Sequence, residues 1–223
     1  MRVPLKICLL FTLVLALCCP VLAKEDYFSA WSKQGIEVSF VGTGRQTGKL
    51  LRMEVRNTSQ KTVRFYLPKL TVLKPENDFY STVLVEKGGA WDLPGGRSFK
   101  VPVEGYSLTY DKAVPKKTLT LTYLPVKKLS PYARYMRALE SGLKFEKRRG
   151  LKSPFLSQSQ HRSLVFQRVL WRVDGDRNPK DAKDLFEDLK QAMKSRKKPI
   201  EDDAIKALTA SVWQDVERIY QNL

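Results

Sequence analysis

Any histidine chemistry in this chain would have to be built around one residue. His161 is the only histidine among 223 residues, so a Ser-His-Asp relay would have to run through it. The stretch HRS (161–163) opens a helical pattern, and nothing beside it has the strained strand-to-helix turn that projects a nucleophile. We therefore expect His161 to be solvated or to cap a helix. A metal site with two histidine ligands is excluded. Cys8, Cys18 and Cys19 are the three cysteines, and all fall inside an apolar leader, which leaves the rest of the chain without a thiolate nucleophile or thiolate ligand. Asp174, Asp176 and Asn178 match positions 1, 3 and 5 of an EF-hand loop, but Pro179 stands where Gly is needed and Leu185 where the bidentate Glu is needed. A helix-to-helix turn with Asn178 as cap accounts for the same residues. GTGRQTG (42–48) lacks the Lys-Ser/Thr ending of a phosphate-binding loop and runs into a strand, so it reads as a hairpin turn. No metal and no cofactor is expected, and the acidic residues cluster on helix faces rather than in apolar settings.

The basic residues are the other candidates. Arg52, Arg56 and Arg64 share the outward parity of two alternating runs with Tyr66 and Lys100. A basic face carrying an aromatic could grip a polyanion. Two plainer readings compete: outward positions of exposed sheets are commonly charged and guard strand edges, or a helical segment packs on this face. Trp31, Phe79, Tyr80, Trp91 and Tyr106 could extend a stacking platform. A second cluster, Lys144, Lys147, Arg148, Arg149 and Lys152, lies within nine residues beside Gly150 at an expected helix exit. A loop there would be free to reach outward.

Charge and targeting frame these sites. The formal net charge is +17. Residues 1–23 form a secretory signal pattern: Arg2 and Lys6, the apolar run ICLLFTLVLALCC (7–19), then the small pair Val21/Ala23 before a cleavage point. The run is short of the roughly 20 residues that span a bilayer. Removing it takes away two basic residues and leaves +15. We expect an exported, disulfide-free chain, periplasmic, cell-surface or secreted, whose field attracts an acidic protein, a surface glycan, anionic lipid head groups or nucleic acid.

The elements that must position these residues change period once. Between Gly35 and Lys128 the pattern has period 2. Strands are predicted over 36–41, 49–57, 62–73, 80–86, 97–105, 106–110 and 118–126, with turns between them. Leu51, Met53, Val55, Val63, Phe65, Leu67, Phe99, Val101, Val103, Leu119, Leu121 and Tyr123 should form the core, and Pro68 and Pro102 should mark edges or bulges. Short strands at this spacing point to an antiparallel immunoglobulin-like β-sandwich over 24–128. After Lys128 the period is helical. Helices are predicted from Ser130-Pro131 to about Leu143, over 158–173, from Asn178-Pro179 to about Met193, and from Glu201 to the end. The last two should form an antiparallel hairpin closing a helical region over 129–223. EKRRGLKSP (146–154) should break the first helix. The fold class is α+β.

RNTSQKTVRFYLP (56–68) followed by LPGGRSFKVPVEGYSL (93–108) resembles a run in exported bacterial immunoglobulin-like domains: an Asn-x-Ser/Thr turn, a strand ending in Pro, a Pro-Gly-Gly hairpin, and a Val-x-Val strand. FQRVLW (166–171) resembles a Gln-x-x-Ile/Leu-Trp helix that follows some of these sandwiches. Several of those domains carry a cysteine near the place of Gly105-Tyr106-Ser107; its absence puts a covalent or thioester role out of reach. The resemblance implies a fold and a bacterial exported setting, and it implies no reaction. The expectation is a non-enzymatic binding or assembly module of the bacterial envelope or cell surface. An exported nucleic-acid-binding protein is the second reading, and a hydrolase using acidic residues the third.

Overall fold

The computed structural model describes residues 27–110, 112, 114–124, 130–173, 181–194 and 201–223. The signal pattern, the 174–178 motif and the Asn178-Pro179 start lie outside the described residues.

The chain is α+β, with antiparallel sheets followed by helices. A short helix, α1 (Tyr27–Lys33), precedes nine strands: β1 (Ile36–Gly42), β2 (Thr47–Asn57), β3 (Val63–Leu67), β4 (Val72–Pro75), β5 (Val83–Val85), β6 (Gly89–Leu93), β7 (Ser98–Ser107), β8 (Thr118–Leu119) and β9 (Leu121–Tyr123). Seven strands form one sheet in the order β8-β1-β2-β7-β5-β4-β9, and β3 pairs with β6 separately. The two outermost strands are one stretch of chain. Thr118 and Leu119 pair with β1, and two residues later Leu121–Tyr123 pairs with β4. One segment thus touches both edges, and the sheet nearly closes into a barrel, which removes most of its open edge.

The alternating pattern finds its core inside this sheet. Leu51, Met53, Val55, Phe65, Leu67, Val103, Leu119, Leu121 and Tyr123 are buried, whereas Val63, Phe99 and Val101 are half-buried at its margin. Leu50 is buried as well, because a bulge between Lys49 and Leu51 shifts the register there. Pro102 sits opposite Arg52 on a part of β7 where β5, paired only over 105–107, does not reach. Its missing donor therefore breaks no second ladder. The run expected over 62–73 is two strands: β3 ends at Leu67, and Pro68 and Leu70, the latter at φ 61, turn the chain into β4. β6 falls where turns are expected. α1 is also unpredicted; it puts Phe28 and Trp31 over the barrel interior, Trp31 lying 4.4 Å from the Phe65 ring.

A second core lies outside the barrel. Val72, Leu84, Tyr106 and Leu108 face the helices, while Leu73, Val83 and Val85 face inward. Strands β4 and β5 are thus covered on both sides, which is why Val83, Leu84 and Val85 read as a continuous apolar run. After a 3-10 turn (Ser130–Tyr132) come α2 (Ala133–Arg149), α3 (Gln158–Val173), α4 (Ala182–Lys194) and α5 (Asp202–Tyr220). Helix α3 is the central one. Val165 through Trp171 are all buried, and Gln167 Nε2 and Trp171 Nε1 both donate to the Ser107 carbonyl at the end of β7. Asp181 caps α4 by accepting from the Lys183 and Asp184 amides. Leu185, Leu189 and Met193 of α4 and Ile205, Leu208, Val212, Val216 and Ile219 of α5 are inward; Leu223 is exposed. Lys190 pairs with Asp202 where the chain returns from α4 into α5.

Candidate functional site

The sheet arginines do not form one basic face. Arg52 donates to Glu54 at 3.0 Å, and Lys100 approaches the same carboxylate at 3.3 Å. Arg56 stands 4.0 Å from Glu37 on the neighbouring strand. The outward positions of β1, β2 and β7 therefore alternate in sign. The Glu54 carboxyl is depressed: burial works to raise it, and the hydrogen bonds and charges of Lys100 and Arg52 outweigh that. Arg64 and Tyr66 lie on β3, in the other sheet, where Arg64 stands 4.0 Å from Asp92 of β6. Parity is shared across the two runs, but the ladder is not, and so Arg64 and Tyr66 do not share a face with Arg52, Arg56 and Lys100. Trp31 and Tyr106 are buried, and Trp91 is half-buried against Phe65 and Phe99. These aromatics are packing groups rather than a stacking platform. Tyr66 and Phe79 are exposed.

Asn57, at the sequon-like NTS, is fully buried. Its amide donates to the Lys61 and Leu93 carbonyls, and its oxygen accepts from the Ser59 amide and hydroxyl. All its hydrogen-bonding capacity goes into fixing the turn before β3 against the end of β6. His161, expected at the surface, is completely buried, with Nε2 2.9 Å from Asp215 Oδ2 of α5. The reason is that α5 packs over this face of α3. Among the described residues no nucleophile hydrogen-bonds to the pair, and the second Asp215 oxygen faces Arg218 at 3.4 Å.

The second basic cluster does line a site, though not as a loop. Helix α2 continues through Lys147, Arg148 and Arg149 and stops at Gly150, whose φ of 72° ends the helix. Cations in a last helical turn gain about 0.3–1 kcal/mol from the helix dipole. That offsets like-charge spacing such as Lys144/Arg148, which costs about 0.2–0.5 kcal/mol at four residues apart. EKRR is therefore a tolerable helix end rather than a break. The exit beyond it, at Lys152, is exposed.

Lys144, Arg148 and Arg149 line a cleft of about 880 Å3 between the end of α2 and the end of α5. The far wall supplies Arg218, Gln221 and Asn222, and Ser141, Phe145 and Gly150 complete it. Four cations and three uncharged polar side chains face the space, and no carboxylate lines it. Among the described residues none of Lys144, Lys147, Arg148, Arg149 and Lys152 has an ion-pair partner. Lys147 and Lys152 do not line the cleft. Arg218 is the member that sequence reading missed: 69 residues separate it from Arg149, and no local pattern links them.

A buried ion network was also missed. Arg162 on α3 donates from Nη1 and Nη2 to both oxygens of Glu86 and from Nε to Glu146 of α2. The Tyr106 hydroxyl donates to Glu86 Oε2 at 2.8 Å. Burial works to raise the Glu86 carboxyl, but the hydrogen bonds and charge of Arg162, with Tyr106, hold it below the usual carboxylate range. Burial and the Glu86 charge push the Tyr106 hydroxyl well above its ordinary range. A general acid needs its carboxyl raised; Glu86 is shifted the other way. The network is a clamp between the sheet and two helices.

Fold and site together define an α+β protein with a near-closed antiparallel sheet, a helical layer and a cationic cleft between two helix ends. No family model, no curated protein and no solved structure matches the chain. Among the described residues, no helix is long and apolar enough to cross a membrane.

Proposed function

We propose that this chain is a non-enzymatic, exported binding or assembly module of the bacterial envelope that takes an acidic partner into the α2–α5 cleft. One observation carries the reading: four cations surround about 880 Å3 with no carboxylate among the lining residues. Arg218 faces Asp215, but Lys144, Arg148 and Arg149 have no ion-pair partner among the described residues, whereas Arg52, Arg56 and Arg64 of the sheet face acids. The +17 chain supplies a long-range field that steers anions toward it. The partner classes are anionic lipid head groups, an acidic glycan or an acidic protein. Export rests on the signal pattern of residues 1–23, and the bacterial setting on the resemblance to exported immunoglobulin-like domains. That kinship is part of the proposal.

The second reading, nucleic acid, has Phe145 behind it, a ring among the cleft cations on which an unpaired base could stack. Phe145 packs against the helical core, which leaves it less free to stack and favours the first reading.

The test is a titration of the mature chain against anionic vesicles, an acidic polysaccharide and DNA over a salt series. Replacing Lys144, Arg148 and Arg149 with Gln should weaken binding at least tenfold and leave the melting temperature unchanged. Binding should fall with salt, since exposed charges are screened over about 10 Å at 0.1 M. Duplex DNA engaging all four cations would give a log–log slope of about −3.6. Binding that ignores both salt and the triple substitution overturns the assignment.

A further inference from the structure

We infer that a second cavity, of about 750 Å3, between the β1–β2 hairpin and helices α3, α4 and α5 is a binding site for a single-chain amphipathic anion, an alkyl carboxylate of the fatty-acid class. It shares no lining residue with the basic cleft and does not depend on that reading.

Leu164 of α3, Leu189 and Met193 of α4 and Leu208 of α5 supply an apolar part of the lining, with Ser159, Gln160 and Ser163 of α3 beside it. Across from it, the hairpin presents Arg45, Thr47 and Lys49. The other charges at the cavity cancel one another. Arg162 is bound to Glu86, and Lys87 is bound to Glu104 at 2.8 Å. Arg45 and Lys49 are exposed and have no partner among the described residues. The charge left over at this cavity is therefore positive and lies at one end of an apolar wall.

A carboxylate between Arg45 and Lys49 would neutralise both cations. The volume lies within the range that encloses small ligands.

The experiment is calorimetric titration of the mature chain with sodium laurate below its micelle concentration, with dodecanol and dodecyltrimethylammonium as chain-matched controls. Laurate should bind with one-to-one stoichiometry, at least tenfold tighter than either control. Arg45→Gln with Lys49→Gln should reduce laurate affinity at least tenfold, and Met193→Trp should block the cavity. The hairpin substitutions lie at the surface, and their melting temperatures should match the parent chain. Lys144, Arg148 and Arg149 replaced by Gln should bind laurate normally, which separates this site from the basic cleft. No laurate binding, equal binding of dodecanol, or full affinity in the Arg45/Lys49 double variant would each overturn the inference.

Discussion

Arg162 meets Glu86 through two parallel hydrogen bonds, Nη1 to Oε2 at 2.9 Å and Nη2 to Oε1 at 2.5 Å, across 76 residues of sequence. The same guanidinium turns its Nε to Glu146, so one side chain of α3 ties the sheet to α2. The side chains are 18% and 6% exposed for Arg162 and Glu86. Bidentate geometry at that depth makes this pair unlike the exposed ion pairs of the sheet, which contribute about 0–1 kcal/mol each.

Arg162→Met should destabilise the chain by about 3–5 kcal/mol, because it leaves the Glu86 carboxylate buried without its partner. Adding Glu86→Gln to that variant should recover more than about 1 kcal/mol, as expected for coupled groups. Urea unfolding of the parent, the two singles and the double measures the coupling. Additive losses would mean that the pair does not act as a unit.

Acid should unfold the protein through the same pair. The native Glu86 carboxyl is depressed, whereas an unfolded glutamate titrates near about 4.3. As pH falls through that value the unfolded chain takes up a proton that the native state refuses, so stability present above it is lost below. Melting temperatures between pH 3 and pH 6 should decline less steeply in Glu86→Gln than in the parent. Tyr106 gives the opposite limb. Its hydroxyl is raised, so stability is full below about pH 10, where an unfolded tyrosine ionises, and falls above it. Tyr106→Phe should flatten that alkaline decline.

Inward and outward strand positions should differ sharply. Phe65→Ala should cost about 3–5 kcal/mol, and Val55→Asp should unfold the barrel, since both sites are buried. Arg52→Ser and Arg64→Ser should stay within about 0.5 kcal/mol. Thermal melts of the four variants separate the two classes; equal losses would show that both faces of these strands are buried.

Gly142→Ala in α2 should be destabilising in spite of the better helix former. Alanine gains up to about 1 kcal/mol of propensity over glycine. The new Cβ would stand 2.9 Å from the Phe166 ring, which is itself buried and packed on Tyr106. Overpacking of that kind costs about 1–3 kcal/mol, so the clash wins. Circular-dichroism melts should show a lower melting temperature. A rise would mean that α2 can move away from α3.

The sequence by itself determined the elements and their inward faces. Alternation along β1, β2 and β7 and the helical stripes of α2 to α5 are local signals, because a buried face imposes its period on neighbouring residues. The Asn57 turn is legible for the same reason, since it satisfies backbone groups within a few residues of itself. The helix ends are not: the pattern points to Asn178 rather than Asp181 as the cap before α4, and to a break at EKRR rather than a helix that runs to Gly150. Local pattern failed at β6, which falls in a stretch of turn residues, and at α1, which is too short to show a stripe of its own. β5 lies within the expected strand 80–86 although, covered on both sides, it does not alternate. Tertiary structure alone decided that segment 118–123 joins both sheet edges, that Arg64 leaves the ladder of Arg52, and that Arg218 completes the cleft of Arg148 and Arg149. It also decided that His161 and Arg162, adjacent in sequence, serve different partners, Asp215 and Glu86. Those partnerships span 54 and 76 residues. Nothing in a charged side chain's own neighbourhood encodes which distant carboxylate packing will bring to it.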